Sequence, residues 1–202
     1  MRARYSIGSA ECLNNAERLL DDARMLLNKR SFGSAQSLGI TALEEVGKAI
    51  ILELANLNYV DEKVVEKSMT CHLTKTTFIK IIEKSIKFHE LYVRKAGDYA
   101  IDKSKLYEFE KEIKSDTRRL EVMRQDGLYV QVNVVNGSVD KSPIKINKRY
   151  ASNVVEYANS FLKLGKALCE LFRRLKCGEV DYVNNIEISK DFRDLNIAWD
   201  EV

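Results

Sequence analysis

Apolar residues recur at helical spacing along most of this chain. Near the N-terminus they stand three or four positions apart, which predicts a first amphipathic helix. The residues of that stripe are Ala10, Leu13, Ala16, Leu20, Ala23 and Leu27. The same spacing returns in residues 78–92, 106–123 and 154–175, with aliphatic or aromatic side chains at most positions of each stripe. The pattern therefore predicts an all-α protein.

The segment 34–57 differs from the others because apolar residues surround nearly its whole helical circumference. Leu43 and Ile50 lie on one side of the helical wheel, and Ile40 and Leu54 lie near the other side. A helix that is apolar all round is usually buried inside a domain. We therefore predict that this segment is the central helix.

Capping residues and glycines predict where the helices begin and end. Ser34 is the expected N-cap of the central helix. The short link before it predicts that the first two helices are antiparallel neighbours. Gly97, Gly127 and Gly178 are expected to follow the ends of the third, fourth and fifth helices.

The periodicity changes in residues 128–147, where an extended run is followed by Asn136-Gly137. This pattern predicts a short β-hairpin or extended excursion, which must pack on the helices because it is too small to be stable alone. Residues 179–202 are acidic-leaning but still contain large apolar side chains. We expect one helical domain over residues 1–178 and a C-terminal extension over 179–202 that docks on the bundle or on a partner.

Composition indicates the cellular class of this protein but does not indicate a binding partner. The net charge of +3 is small. No apolar run reaches the roughly 18 residues of a membrane span, and the N-terminus lacks the apolar core of a signal peptide. The four cysteines show no Cys-x-x-Cys pairing and are typical of reduced thiols. These features predict a cytoplasmic protein without a membrane anchor, a metal or a cofactor.

The central helix carries three charged residues, Glu44, Glu45 and Lys48. Their spacing on a helix is expected to bring the three head groups into one polar spot. Charges in an apolar setting must be paired or hydrogen-bonded, or each costs roughly several kcal/mol. The spot is therefore either an internal ion-pair staple or part of a functional site.

Two further motifs offer acid–base or anion-binding groups. His72 and Lys75 are spaced to share one helical face, and histidine is the side chain best suited to exchange protons near neutral pH. A surface histidine beside a solvated lysine is the alternative interpretation. Arg124 precedes a glycine turn and Tyr129, a pairing that can bind phosphate or carboxylate. Alternatively, Arg124 neutralises Glu44 or Glu45 in the core.

The third helix has a lysine-rich side that is a candidate surface for nucleic-acid phosphates. It is formed by Lys80, Lys84 and Lys87, which alternate with Glu83 and Glu90. Because both signs of charge occur there, a solvated helix face is the favoured interpretation.

Four motifs in this order resemble the AbiV-type abortive infection proteins of bacteria, a branch of the HEPN superfamily. They are Ala-Leu-Glu-Glu-Val-Gly-Lys at 42–48, His72-x-x-Lys75, Arg124 before Gly-Leu-Tyr-Val, and a closing Ala-rich helix. The resemblance runs from about Ala10 to Leu175. It implies a HEPN-like up-and-down bundle of about five main helices in a cytosolic anti-phage protein. Such proteins halt the growth of the infected cell, often by attacking RNA or translation.

The resemblance also implies an activity, because many HEPN proteins are metal-independent ribonucleases with an Arg-x(4–6)-His motif. No arginine stands at that spacing before His72, so a nuclease site must be assembled from different helices, with His72 brought to Arg124 in space. His72 is then the expected general acid–base, and Arg124 and Lys75 stabilise the phosphate. Lys48, Glu44 and Glu45 orient the site, and Tyr129 contributes a hydroxyl.

The expected partners are a second copy of the chain, RNA and, as a further candidate, a phage-encoded activator protein. The dimer surface is expected on an apolar stripe of the first or fifth helix. The competing hypothesis is a non-catalytic protein that inhibits translation by binding a phage or host factor. In that case the charged residues form a buried network that fixes the register of the bundle.

Overall fold

The computed structural model describes residues 3–88 and 103–177, and it is almost entirely helical there. The helices are α1 (Ala3–Asn28), α2 (Phe32–Asn56), α3 (Glu62–Thr70), α4 (His72–Phe88), α5 (Lys103–Asp126) and α6 (Lys148–Lys176). The strands β1 (Gln131–Val132) and β2 (Val139–Lys141) and a 3₁₀ turn (Pro143–Lys145) lie between α5 and α6. The predicted all-α fold is confirmed.

Helix α2 lies at the centre of the bundle and contacts every other helix of the described residues. Ile40, Leu43, Ile50 and Ile51 are fully buried on different sides of it, as its apolar circumference predicts. The main core lies between α2, α1 and α6, and Phe161 of α6 is its largest fully buried side chain.

Helix α4 lies close against α2 because α2 has a glycine at the crossing. A Cβ atom built on Gly47 would lie only 2.6 Å from the carbonyl oxygen of Lys75. Two backbones can approach this closely only where one of them has no side chain. Gly47 therefore sets how near the first turns of α4 lie to the charged residues of α2.

The predicted apolar stripe of the third helical region is wrong. On α4, Ile81 is 37% exposed, whereas Lys75, Ile79 and Lys80 are buried. The buried face is rotated from the predicted one because its polar residues find partners on neighbouring helices: Lys75 pairs with Glu44 on α2, and Lys80 donates to the Tyr157 hydroxyl on α6. The region after the first loop also holds two helices rather than one, since α3 ends at Thr70 and α4 begins at His72.

The predicted helix ends are partly corrected. Helix α2 begins at Phe32 with Ser31 at the N-cap position, so the assignment of Ser34 as the N-cap is wrong. The Ala35 amide already donates to the Ser31 carbonyl at 3.0 Å, which places Ser34 inside the first turn. Helix α5 ends at Asp126, directly before Gly127, as predicted. Gly97 and Gly178 lie outside the described residues.

The predicted hairpin is present as a short antiparallel pair of strands, Gln131 opposite Lys141 and Val132 opposite Val139. Asp126 at the end of α5 anchors it, accepting hydrogen bonds from the side chains of Gln131 at 2.7 Å and Lys141 at 2.6 Å. The predicted C-terminal extension lies outside the described residues. Within the described ranges, none of the helices is sufficiently long and apolar to cross a membrane.

Candidate functional site

The carboxylate of Glu44 lies at the meeting point of α2, α4 and α5. Its side chain is 2% exposed. On one side, Glu44 Oε2 lies 2.5 Å from Nδ1 of His72 and 3.7 Å from Nζ of Lys75. On the other side, Glu44 Oε1 lies 3.6 Å from Nε of Arg124. The fold therefore brings together four of the predicted site residues from three different helices.

His72 has one ring nitrogen bound to Glu44 and half of its side chain open to solvent. The side chain is 46% exposed, and Nδ1 alone is engaged by a described residue. A carboxylate at Nδ1 favours the tautomer that carries its proton there, so that Nε2 keeps a free lone pair. This is the arrangement of a histidine that can accept a proton from a bound molecule.

Arg124 is held by a second carboxylate, Glu121, on the preceding turn of α5. Its Nε donates to Glu121 Oε2 at 3.1 Å, and its Nη2 donates to Oε1 at 2.8 Å. The side-chain nitrogen Nε2 of Gln125 also donates to Oε1 of Glu121, at 2.8 Å. The hydrogen bond from Arg124 lowers the pKa of Glu121, and the same bond raises the pKa of Arg124. Glu121 was not among the predicted site residues, although its i,i+3 spacing from Arg124 is typical of a helical ion pair.

The end of α5 is hydrogen-bonded to α2, and these bonds fix the position of Arg124 beside Glu44. The Gln36 side chain donates to the Met123 carbonyl at 2.6 Å, and the Ser37 hydroxyl donates to the Arg124 carbonyl at 2.8 Å. A Cβ atom on Gly127 would lie 2.2 Å from Ser37 Oγ, so glycine is needed for this contact.

A family model described as AbiV, of the HEPN type, matches residues 4–163, a range that includes every residue of this site. The chain belongs to the AbiV family. Membership places it among the abortive infection proteins of phage defence. No match was found among curated proteins or among solved structures.

In this AbiV protein, Glu45 and Lys48 form a pair of their own that is turned away from His72. Glu45 and Lys48 are in direct ionic contact. On the α1 side, burial above all raises the pKa of Cys12 to about 11, and the charge of Glu45 contributes to the rise. Consecutive helical residues point about 100° apart, so Glu44 and Glu45 face different helices. The predicted single spot of three head groups is therefore two separate pairings.

Tyr129 lies in the loop after α5 with 57% of the residue exposed. It is near enough to Arg124 to contribute, after Glu121 and Glu44, to the raised pKa of the guanidinium group. Lys75, in contrast, is buried with its ammonium group directed at Glu44. Of the predicted phosphate-binding groups, Arg124 and Tyr129 are therefore nearer to solvent than Lys75.

At Lys80 and Lys84, the described part of the lysine-rich side of α4, both interpretations are wrong, because these side chains are neither solvated nor open to a phosphate. Lys80 is buried and donates to Glu83 at 2.8 Å and to the Tyr157 hydroxyl at 2.9 Å. Lys84 pairs with Glu112 at 2.7 Å on α5. Lys80 thus joins α4 to α6 through the Tyr157 hydroxyl, and Lys84 joins α4 to α5 through the largely exposed Glu112. The side chain of Lys87 lies outside the described residues.

A second buried carboxylate lies nearer the other end of α2. Glu53 is fully buried, and its Oε1 accepts from Nε of Arg173 on α6 at 2.8 Å. Ser6 on α1 and Asn56 donate to Glu53 Oε2, each at 3.3 Å. Among the described residues no histidine takes part in this cluster, whose bonds tie α1, α2 and α6 together. Among the described residues no group of three or more His, Cys, Asp or Glu side chains is placed to hold a metal ion.

Proposed function

We propose that this AbiV-family protein is an abortive infection effector that cleaves RNA without a metal ion and thereby blocks translation. The observation that supports the proposal is the Glu44–His72 pair beside Arg124, with Nε2 of His72 unpaired among the described residues. A general base, a group that orients it and a cation for phosphate are the elements that phosphoryl transfer requires.

In the proposed reaction, Nε2 of His72 accepts the proton of a ribose 2′-hydroxyl. The 2′-oxygen attacks the adjacent phosphorus, the bond to the 5′-oxygen breaks, and that oxygen takes a proton from solvent. The products are a 2′,3′-cyclic phosphate and a 5′-hydroxyl end. Glu44 stabilises the imidazolium that forms, as a carboxylate behind a catalytic histidine does. Arg124 faces the negative charge that develops on the phosphate.

The remaining predicted residues take roles that follow from their positions. Buried Lys75 balances the charge of Glu44 within the protein, which places it behind the phosphate rather than against it. Glu45 and Lys48 hold the α1 side of α2. The exposed hydroxyl of Tyr129 is available for a hydrogen bond to the ribose or the phosphate.

The decisive experiment is incubation of the purified protein with RNA, alone and with lysate from phage-infected cells. We expect cleavage that leaves cyclic phosphate ends and falls at least about 100-fold in His72→Gln, since general base catalysis contributes about 10²–10⁴-fold. The control is Glu66→Gln, at an exposed position of α3, which should cleave at the unchanged rate. Equal cleavage by His72→Gln and the unmodified protein would remove His72 from the mechanism.

One observation favours the second candidate, a non-catalytic inhibitor that binds a phage or host factor. Glu44 and Lys75 are almost wholly buried and Arg124 is engaged by Glu121, as in an ion-pair network that fixes helix register. This candidate predicts intact RNA in both incubations and translation that is still blocked by His72→Gln. The homodimer remains a prediction, which sedimentation of the purified protein would test.

A further inference from the structure

The guanidinium group of Arg124 is bound along one edge only. Glu121 takes Nε and Nη2 in a two-point contact, and Glu44 lies 3.6 Å from Nε. Within the described part of the chain, Nη1 of Arg124 makes no hydrogen bond, and this atom is not fully buried. The edge formed by Nη1 therefore remains open to a further acceptor.

Glu121 is itself fixed, which gives the contact a defined direction. Its Oε1 accepts from both Nη2 of Arg124 and the Gln125 amide, each at 2.8 Å. The α2 side chains Gln36 and Ser37 hold the backbone of the same helical turn. A two-point carboxylate contact sets the plane of a guanidinium group, not only its distance.

The positive charge of His72, when it is protonated, is one of the smaller causes that lower the pKa of Glu121, so the two side chains are within electrostatic range. The same carboxylate is thus within electrostatic range of both proposed catalytic groups. Glu121 contacts Arg124 directly but does not bind His72, because Glu44 occupies Nδ1 of that ring. Its role is therefore toward Arg124.

We propose that Glu121 is the positioning residue of this site, holding Arg124 so that its Nη1 edge faces an RNA phosphate beside His72. The inference rests on the proposed ribonuclease function. At metal sites, removing a group that orients a ligating side chain typically lowers activity about 10–100-fold, and we expect a loss of the same size here. Without Glu121, Arg124 keeps its charge but loses its fixed plane, so the rate of the chemical step falls more than RNA binding does.

The test compares Glu121→Gln with Glu110→Gln, at an exposed position of the same helix. Cleavage of an RNA oligonucleotide gives kcat and KM, and nitrogen-15 NMR follows the Nε–H signal of Arg124. We expect Glu121→Gln to lower kcat about 10–100-fold, with KM changed less than about threefold, and to lose the ordered Nε–H signal. Glu110→Gln should match the unmodified protein in both measurements, and the NMR spectrum also shows whether each variant is folded.

The remaining outcomes separate the two proposals. If the unmodified protein cleaves RNA and Glu121→Gln has the same kcat, the Glu121 inference alone is overturned. A higher kcat in Glu121→Gln also overturns it, because Glu121 would then be occupying the phosphate position. If the unmodified protein leaves RNA intact with and without infected lysate, the ribonuclease proposal fails and the inference falls with it.

Discussion

At the scale of single residues, burial decides which titratable side chains are available for chemistry. His72 is half exposed and bonded through one nitrogen, so its second nitrogen can meet a substrate. Cys12 and Cys169 lie inside the bundle, where burial raises the pKa of each thiol to about 11. A buried protonated thiol is inert as a nucleophile. These two thiols are therefore unavailable as nucleophiles, whereas the second nitrogen of His72 faces solvent.

The buried thiol of Cys169 makes stability depend on pH in the alkaline range. Its pKa is raised from 9.0 to about 11 in the folded protein, so above pH 9 the unfolded chain releases a proton that the folded chain retains. The contribution of the protonated Cys169 thiol to the free energy of unfolding is complete below pH 9. It is lost as the pH rises toward 11, and the loss is about 3 kcal/mol at most. We expect urea denaturation between about pH 8 and about pH 10 to show that the free energy of unfolding falls less steeply with pH in Cys169→Ala than in the unmodified protein.

A decline of the same slope in both proteins would show that Cys169 does not titrate differently in the folded and unfolded states. Because Cys12 and Tyr157 also have raised pKa values, the comparison uses the difference between the two slopes. Those two groups remain in the variant, so the difference between the slopes reports the loss of Cys169 together with its small coupling to Cys12.

At the scale of elements, the site depends on how closely α4 approaches α2. A Cβ atom on Gly47 would meet the backbone carbonyl of Lys75, which cannot move without moving the helix. His72 and Lys75 both belong to the first turns of α4, so the same shift would carry them away from Glu44. The distance between α4 and α2 thus determines the geometry of the Glu44–His72 pair.

Gly47→Ala is expected to destabilise the protein by about 1–3 kcal/mol, since the clash outweighs the helix propensity gained from alanine. The control is Gly8→Ala on α1, where the new Cβ would lie 3.3 Å from a flexible atom of Leu52. That variant should be close to neutral. Thermal unfolding measures both, and equal melting temperatures for the two variants would contradict the close approach.

At the scale of the whole molecule, α2 carries buried carboxylates in two clusters that differ in their partners. Glu44 meets a half-exposed histidine and cations of α4 and α5, whereas Glu53 meets Arg173, Ser6 and Asn56. The first cluster lies beside solvent and contains a proton-transfer group. The second joins three helices and, in the described part of the chain, includes no such group, so it serves the stability of the bundle.

Arg173→Met is expected to cost about 3–5 kcal/mol of unfolding free energy, because it leaves the charge of Glu53 buried without its cation. Lys166→Met on the same helix is the matched control, since its pair with Glu17 at 3.0 Å is on the surface. An exposed pair contributes at most about 1 kcal/mol. Chemical denaturation measures both variants, and similar losses would show that the Glu53–Arg173 pair is not desolvated.

The sequence alone was sufficient for the features that depend on local order. Apolar periodicity placed the long helices, the all-round apolar character of 34–57 identified the central helix, and Asn136-Gly137 marked the hairpin. Four ordered motifs indicated the AbiV family, which the match over residues 4–163 confirms. These features are readable because helix spacing and turn chemistry act over a few neighbouring residues.

The tertiary structure decided which charges meet. Spacing along the chain suggested one spot for Glu44, Glu45 and Lys48, yet α4 and α5 take Glu44 while Glu45 remains with Lys48. It also buried the lysine face of α4 and added Glu121 to the site. The physical reason is that a side chain's partner across the bundle depends on how helices rotate and approach, which close contacts such as Gly47 against Lys75 determine.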